Sequence, residues 1–140
     1  MTITPVNDAP TDLVVDNLTV AENAAGAVIG NVSVTDPDVG DTHTYSVDDA
    51  RFEVVGGVLR LVAGQSLDFE TEPSVSITIT ATDAGGLIYN EAFTVTVSNV
   101  NEAPTDLAVD NLTVAENAAG AVIGNVSVTD PDAGDTHTYS

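Results

Sequence analysis

Apolar and polar residues alternate along much of the first 100 positions. In Ser74–Thr82 ("SVSITITAT") and Ala92–Asn99 ("AFTVTVSN"), almost every second residue is aliphatic or phenylalanine and the others are mainly serine or threonine. A period of two is typical of a β-strand with one face inward and the other in water. Weaker alternation predicts further strands with inward positions at Leu18, Val20, Val28, Val32, Val34, Tyr45, Val47, Leu59 and Leu61. The pattern predicts six or seven strands.

The residue types within and between these segments also favour β-strands. β-branched residues dominate, and no stretch sustains a helical period except the short Ala21–Ala27 ("AENAAGA"), whose asparagine and glycine favour a turn. Short strands separated by regular turn signals are typical of an antiparallel β-sandwich. The sequence therefore predicts an all-β protein.

A long internal repeat sets the domain organisation. Residues 6–46 return as residues 100–140, a shift of 94 positions with three differences in 41: Asp8/Glu102, Val14/Ala108 and Val39/Ala133. This predicts a tandem array, with residues 1–10 a linker from a preceding repeat, 11–98 a complete repeat and 99–105 a linker. Residues 106–140 are expected to form the first part, strands A to C, of a second, truncated repeat.

The truncated repeat leads to an expectation about assembly. Its three strands would lack partners, and unpaired sheet edges favour association. Because residues 99–105 reach at most about 24 Å, folding back onto the first repeat is disfavoured. Exchange of strands between two copies of the chain is therefore expected, giving a homo-oligomer.

The charge narrows the classes of partner. The chain has 22 acidic and two basic residues, a net charge of −20. Such a surface repels nucleic acid and anionic lipid headgroups. No apolar run approaches about 18 residues, so direct membrane insertion is not expected. No nucleophile–base pair or phosphate-binding loop is present, so the chain is not expected to be an enzyme.

Many acidic residues cluster at predicted strand ends, which indicates a cation. Residues i and i+2 of an extended segment point the same way, so Asp36 with Asp38, and Asp68 with Glu70, present paired carboxylates. Calcium takes six to eight oxygen ligands in loose geometry, which suits ligands from several loops. Val47 stands where a helix–loop–helix calcium site needs glutamate, which excludes that motif. The alternative is that these residues only favour turns.

The order of these motifs resembles a cadherin repeat, in the bacterial cadherin-like version found in large secreted calcium-dependent adhesins. The resemblance rests on Glu22 after the first strand, "DPD" at 36–38, "LDFE" at 67–70, "ATDAGG" at 81–86 and the linker "NVNEAP" at 99–104. It departs from the family at Phe69, where the family has arginine, and at Asn99 and Glu102, where it has aspartate.

The resemblance implies an immunoglobulin-like Greek-key β-sandwich with calcium ions at each junction between repeats. The implied ligands of the central junction are Glu22, Asp68, Glu70, Asn99, Asn101, Glu102, Asp130 and Asp132. An N-terminal half-site would contain Asn7, Asp8, Asp36, Asp38 and Asp83. His43 and His137 are interpreted as exposed strand residues and not as ligands.

Three functional classes follow. The favoured one is a calcium-rigidified spacer in a secreted or bacterial cell-surface adhesin of the kind that supports biofilms, with neighbouring repeats as its partners. The alternatives are a module that binds carbohydrate or a like domain, and an accessory domain of a secreted enzyme. Near-identical neighbouring repeats suit length and stiffness better than specific recognition, which favours the spacer.

Overall fold

A computed structural model describes residues 1–140. The chain contains ten β-strands and no helix. It follows that no helix is long and apolar enough to cross a membrane. The chain divides into two units, unit 1 (Met1–Val100) and unit 2 (Asn101–Ser140). The strands are β1 (Asp12–Val15), β2 (Thr19–Ala21), β3 (Val28–Thr35), β4 (His43–Val47), β5 (Phe52–Val55), β6 (Val58–Leu61), β7 (Ser74–Asp83), β8 (Ile88–Ser98), β9 (Asp106–Val109) and β10 (Val126–Thr129).

Unit 1 is a β-sandwich of two four-stranded sheets. One sheet has the strand order β1-β3-β6-β5 and the other β2-β8-β7-β4. The alternation predicted for β7 and β8 places Ile77, Ile79 and Val95 in the interior, where each is at most 1% exposed. They share one apolar core with Leu13 and Leu59 of the opposite sheet. Burial of these side chains is the main favourable term that holds the two sheets together.

Unit 1 has eight strands, and its first two, β1 and β2, belong to different sheets. β1 pairs antiparallel with β3, whereas β2 pairs parallel with β8. Asn17 lies between them, and its side-chain amide donates to the carbonyls of Thr19 at 3.0 Å and Ile29 at 2.5 Å. A Cβ atom at Gly30 would collide with the Asn17 backbone. The asparagine and glycine together permit the crossing from one sheet to the other.

The predicted inward position of Val28 is wrong. Val28 is 67% exposed, and the next residue, Ile29, enters the core at 3% exposure. The pairing of β3 with β6 shifts register between Val28 and Gly30, which is a β-bulge. A bulge moves the following side chains to the opposite face, so strict alternation does not hold across it.

Unit 2 contains one two-stranded ladder, β9 with β10, instead of the three predicted strands. Its register repeats that of β1 with β3: Asp106 pairs with Thr129 as Asp12 pairs with Thr35. The segments that correspond to β2 and β4 are not strands. In unit 1 those strands pair with β8 and β7, which have no counterpart in unit 2.

The two copies of the repeated sequence therefore differ in burial. Leu13 is 1% exposed in unit 1, and its counterpart Leu107 is 63% exposed in unit 2. Val20 and Val114 differ in the same way, at 4% and 50%. Unit 2 presents to the surface the apolar face that unit 1 buries in its core.

This difference gives a prediction with an internal control. Leu13→Ala should lower the free energy of unfolding of unit 1 by about 2–5 kcal/mol, because it leaves a cavity in a packed core. Leu107→Ala, the same change at the repeated position, should alter it by less than about 0.5 kcal/mol. Urea-induced unfolding measures both values. Equal losses in the two variants would show that Leu107 is packed as tightly as Leu13.

Candidate metal centres

Glu22 is the buried carboxylate at one end of unit 1. It follows β2 directly and precedes a tight turn in which Asn23 has a φ of 59°. Glu22 is 2% exposed, and its Oε1 and Oε2 accept hydrogen bonds from the backbone N–H groups of Val100 at 2.8 Å and Phe69 at 2.9 Å. These bonds, that from Val100 first, lower the pKa of Glu22. Glu22 is therefore held as an anion despite its burial.

Asp68 and Glu70 lie beside Glu22, in the segment that begins at the buried Leu67. Asp68 accepts hydrogen bonds from the Thr71 hydroxyl at 2.7 Å and from the Glu70 N–H at 3.0 Å, and the Thr71 hydroxyl is the largest cause of its lowered pKa. Desolvation of the Glu70 carboxyl group raises its pKa to about 7, with a further contribution from the negative charge of Glu22. A cation at this position would relieve the same repulsion.

Four of the five residues predicted for the N-terminal half-site form two hydrogen-bonded pairs in unit 1. The Asn7 side-chain amide donates to Oδ2 of Asp83 at 3.0 Å, and the Asp8 N–H donates to Oδ2 of Asp38 at 2.7 Å. Asp83 is 5% exposed and also accepts from the backbone of Leu87. A Cβ atom at residue 85 would collide with the Asn7 side chain, so Gly85 permits the first pair.

Asp36, the fifth member of the half-site, is already engaged through both oxygens. Oδ1 accepts the Asp38 N–H at 2.8 Å, and Oδ2 lies 2.8 Å from Nε2 of His43. The bond to His43 is the largest cause of the lowered pKa of Asp36.

Unit 2 repeats this arrangement at the residues predicted for the central junction. Oδ2 of Asp132 accepts the Glu102 N–H at 2.6 Å, as Asp38 does from Asp8. Oδ1 of Asp130 accepts the Asp132 N–H at 2.8 Å. Oδ1 of Asp132 is buried without a hydrogen-bond partner, which leaves it available to a cation. Asn99 of unit 1 and Asn101 of unit 2 are exposed.

Six of the eight predicted junction residues thus fall into two groups, one in each unit, and Asn99 and Asn101 have no side-chain contact with either group. Glu22, Asp68 and Glu70 form the group in unit 1, and Glu102, Asp130 and Asp132 form the group in unit 2. All the side-chain ligand atoms in both groups are carboxylate oxygens, the type of ligand that calcium prefers. Sharing of ions between the groups stays a prediction.

The interpretation of His43 and His137 as exposed residues is wrong. The His43 side chain is 10% exposed and bonds to Asp36, and the His137 side chain is 17% exposed and bonds to Asp130. Asp41 joins Asp36 and His43, and Asp135 joins Asp130 and His137, in groups whose ligand atoms lie within 4.8 Å of one another. The repeated spacing "DPDxGDTH" contains these residues. Alternation treats each strand separately and does not detect a contact across a loop.

Two facing sheets with carboxylates at their ends define a cadherin-like β-sandwich. Solved structures with this fold include human protocadherin-24 domains EC1–2, at a TM-score of 0.67 and 22% identity over 91% of this chain and 64% of that one. Extracellular cadherin domains 1–4 of protocadherin gamma B7 give 0.64 and 24%, over 87% of this chain and 33% of that one. The human desmocollin-1 ectodomain gives 0.57 and 22%, over 91% and 27%. No protein-family model matches the sequence.

The proton on Glu70 gives a prediction for calcium-free protein. Because its pKa rises from 4.5 to about 7 on folding, Glu70 stabilises the fold fully below pH 4.5, and this contribution is lost as the pH rises through 7. The lowered pKa of Glu22 acts in the opposite sense, and its contribution is lost only as the pH falls below 4.5. Glu70→Gln should therefore flatten the fall in unfolding free energy between pH 4.5 and 7.

Carboxyl carbon NMR measures the same proton directly. Glu22→Gln should move the Glu70 titration to lower pH, because it removes a neighbouring negative charge. Glu116→Gln, at the exposed repeat position of Glu22, is the control and should leave the titration unchanged. A Glu70 midpoint that does not respond to Glu22→Gln would contradict the coupling.

Proposed function

We propose that this chain is a calcium-rigidified spacer from a long extracellular or cell-surface adhesin, built of tandem cadherin-like repeats. The observation that carries the proposal is the position of Glu22. Its carboxylate binds the N–H of Val100, where the chain leaves unit 1, and it lies beside Asp68 and Glu70. An ion held by these carboxylates would therefore restrain the start of the linker as well as the sandwich.

Calcium is the cation that this donor set favours. Glu22, Asp68 and Glu70 offer six carboxylate oxygens and no nitrogen or sulfur ligand. Oxygen-only sites with flexible geometry suit calcium, whereas zinc prefers sites that include histidine or cysteine. A divalent ion held by these residues would offset the repulsion among the three carboxylates.

The second ligand group would complete the coordination. The ions bound by Glu22, Asp68 and Glu70 would be shared with five further ligands: Asn99, Asn101, Glu102, Asp130 and Asp132. Ions with ligands in both units would remove the hinge freedom of residues 99–105 and stiffen the array. The N-terminal half-site of Asn7, Asp8, Asp36, Asp38 and Asp83 would serve the same purpose with a preceding repeat.

The spacer is favoured over recognition by the near-identity of the two copies. Three differences in 41 positions leave little variation with which neighbouring repeats could recognise different ligands. The similar solved structures are described as extracellular cadherin domains or an ectodomain, which supports a location outside the cell. A carbohydrate-binding or homophilic module and an accessory domain of a secreted enzyme are the alternative functions.

Calcium titration of the chelator-treated chain by calorimetry tests the proposal. The double variant Asp130→Ala/Asp132→Ala should lose the heat of the junction sites, because it removes the carboxylates of unit 2. Asp36→Ala/Asp38→Ala, the same change in the identical motif of unit 1, is the control and should retain that heat.

Stiffening has its own measurement in the same proteins. Calcium should raise the melting temperature and the extension of the wild-type chain seen by small-angle X-ray scattering. Melting and scattering curves that are the same in calcium and in chelator would contradict the spacer function.

Exchange between copies is a further part of the proposal. The face that unit 2 exposes at Leu107, Val114 and Ile123 is the one that residues 13, 20 and 29 bury against β5–β8 in unit 1. Residues 106–140 of one copy therefore fit the place of residues 12–46 in another. Each chain has two copies of this segment, residues 12–46 and 106–140, but only one set of strands β5–β8 for them to pack against. Exchange therefore leaves the number of complete sandwiches unchanged. Its extent should depend on protein concentration.

Light scattering coupled to size exclusion tests exchange. After incubation at high concentration the wild-type chain should contain dimers, and their fraction should rise with concentration. Leu107→Asp should reduce this fraction without altering unit 1, because it places a charge where the exchanged segment enters the core. A wild-type chain that stays strictly monomeric would exclude exchange.

A further inference from the structure

Asp36, Asp41 and His43 form a cluster, here called the histidine cluster, where the chain crosses between the two sheets of unit 1. Asp36 follows the last residue of β3, and His43 is the first residue of β4 in the opposite sheet. Nε2 of His43 lies 2.8 Å from Oδ2 of Asp36, and the two side chains are only 10% and 4% exposed. Together with a carboxylate oxygen of Asp41, these atoms lie within 4.8 Å of one another.

Asp41 supplies a second observation that points to a cation. Its Oδ1 accepts the N–H of Thr42 at 2.8 Å, but its Oδ2 is buried and has no hydrogen-bond partner. A buried anionic oxygen without a donor is unfavourable unless another positive group compensates it. A role in the turn therefore explains the position of Oδ1 of Asp41 but not the burial of its Oδ2.

We propose that the histidine cluster binds a divalent transition metal ion, with Nε2 of His43 and one oxygen each of Asp36 and Asp41 as ligands. Zinc(II) is the ion that fits best, because it accepts imidazole nitrogen and carboxylate oxygen together at about 2.0–2.2 Å. The metal replaces the proton that joins His43 to Asp36, and water takes the fourth position. This site uses a nitrogen ligand and contains none of Glu22, Asp68 and Glu70.

The geometry is close to what tetrahedral coordination requires. Ligand atoms about 2.1 Å from a zinc ion lie roughly 3.4 Å from one another. The separation of His43 from Asp36 is 2.8 Å, and the Asp41 oxygen lies within 4.8 Å of both. Zinc binding therefore requires His43 and Asp36 to move slightly apart and Asp41 to move closer to them. Asp41 lies in a loop and not in a strand.

The repeat supplies a second copy of the site. In unit 2, Nε2 of His137 lies 2.7 Å from Oδ2 of Asp130, and Asp135 takes the place of Asp41. Asp135 is exposed, so its carboxylate must lose more water on binding, and this copy should bind more weakly. In each copy the metal connects an aspartate that directly follows a strand, Asp36 after β3 or Asp130 after β10, to the histidine that follows the "DPDxGD" loop. In unit 1 it ties together the two sheets.

The experiment is a titration of the chelator-treated full chain with zinc(II) alone, in calcium-free buffer, by calorimetry. The wild type should bind two equivalents. His43→Gln should lose the stronger one, His137→Gln the weaker one, and the double variant both. Asp12→Asn, which removes an exposed charge outside the cluster, should bind as the wild type does.

Cobalt(II) substitution in the unaltered chain provides a readout that does not depend on the folding of any variant. The chain has two histidines and no cysteine, so the imidazole Nε2 resonances of His43 and His137 should shift and broaden on addition of cobalt. Zinc binding that persists in the double histidine variant, the absence of binding by the wild type, or unshifted imidazole resonances would each overturn the site. Calcium binding is measured in a separate titration, which distinguishes failure of the calcium sites from failure of this one.

Discussion

Repulsion among carboxylates at the ends of the sandwich is the constraint on which the rest of the structure depends. A chain with a net charge of −20 has almost no basic side chains to pair with them. Backbone N–H groups take that place: Glu22 accepts two, and Asp36, Asp38 and Asp83 accept one each. The hydrogen bonds that stabilise these carboxylates therefore also fix the conformation of the loops at the strand ends.

The two basic residues serve a separate region. Arg51 contacts Asp49 and Glu72 at 2.7 Å and lies over the Phe52 ring, while Arg60 pairs with Glu53 at 2.9 Å. These pairs are partly exposed and contribute little to stability individually. None involves Glu22, Glu70 or the "DPD" motifs, so the charge of the candidate metal ligands is left for protons or cations to balance.

The repeat separates what local sequence determines from what packing determines. The Asn31 amide donates to Asp16, and the Asn17 amide donates to the Ile29 carbonyl. The same bonds recur at Asp110 and Asn111, although one copy is packed and the other is not. These bonds need only the repeated segment and the pairing of its two strands, which both copies have. Burial cannot be read from the segment alone, because Val20 and Val114 have the same neighbours in sequence, yet Val20 is 4% exposed and Val114 is 50% exposed.

The same distinction explains which predictions from the sequence succeeded. The alternation in β7 and β8 gave the inward residues correctly, because those strands pair over nine positions without a bulge. It failed at Val28, where the register shifts. The grouping of Glu22 with Asp68 and Glu70 came from a family resemblance, since no spacing rule joins residues 46 or more positions apart. His43 was misread because its partner lies across a loop between two sheets.

Asp36 and its repeat Asp130 connect the two kinds of candidate site. Each carboxylate has two oxygens, of which one accepts the backbone N–H two residues later and the other faces a histidine. A transition metal in the histidine cluster would take the second oxygen and hold it away from the linker. Calcium at the strand end would draw on the same carboxylate. One aspartate in each copy of the motif would then couple the internal crossing of the sandwich to the connection between repeats, because both ions would draw on the charge of a single carboxylate.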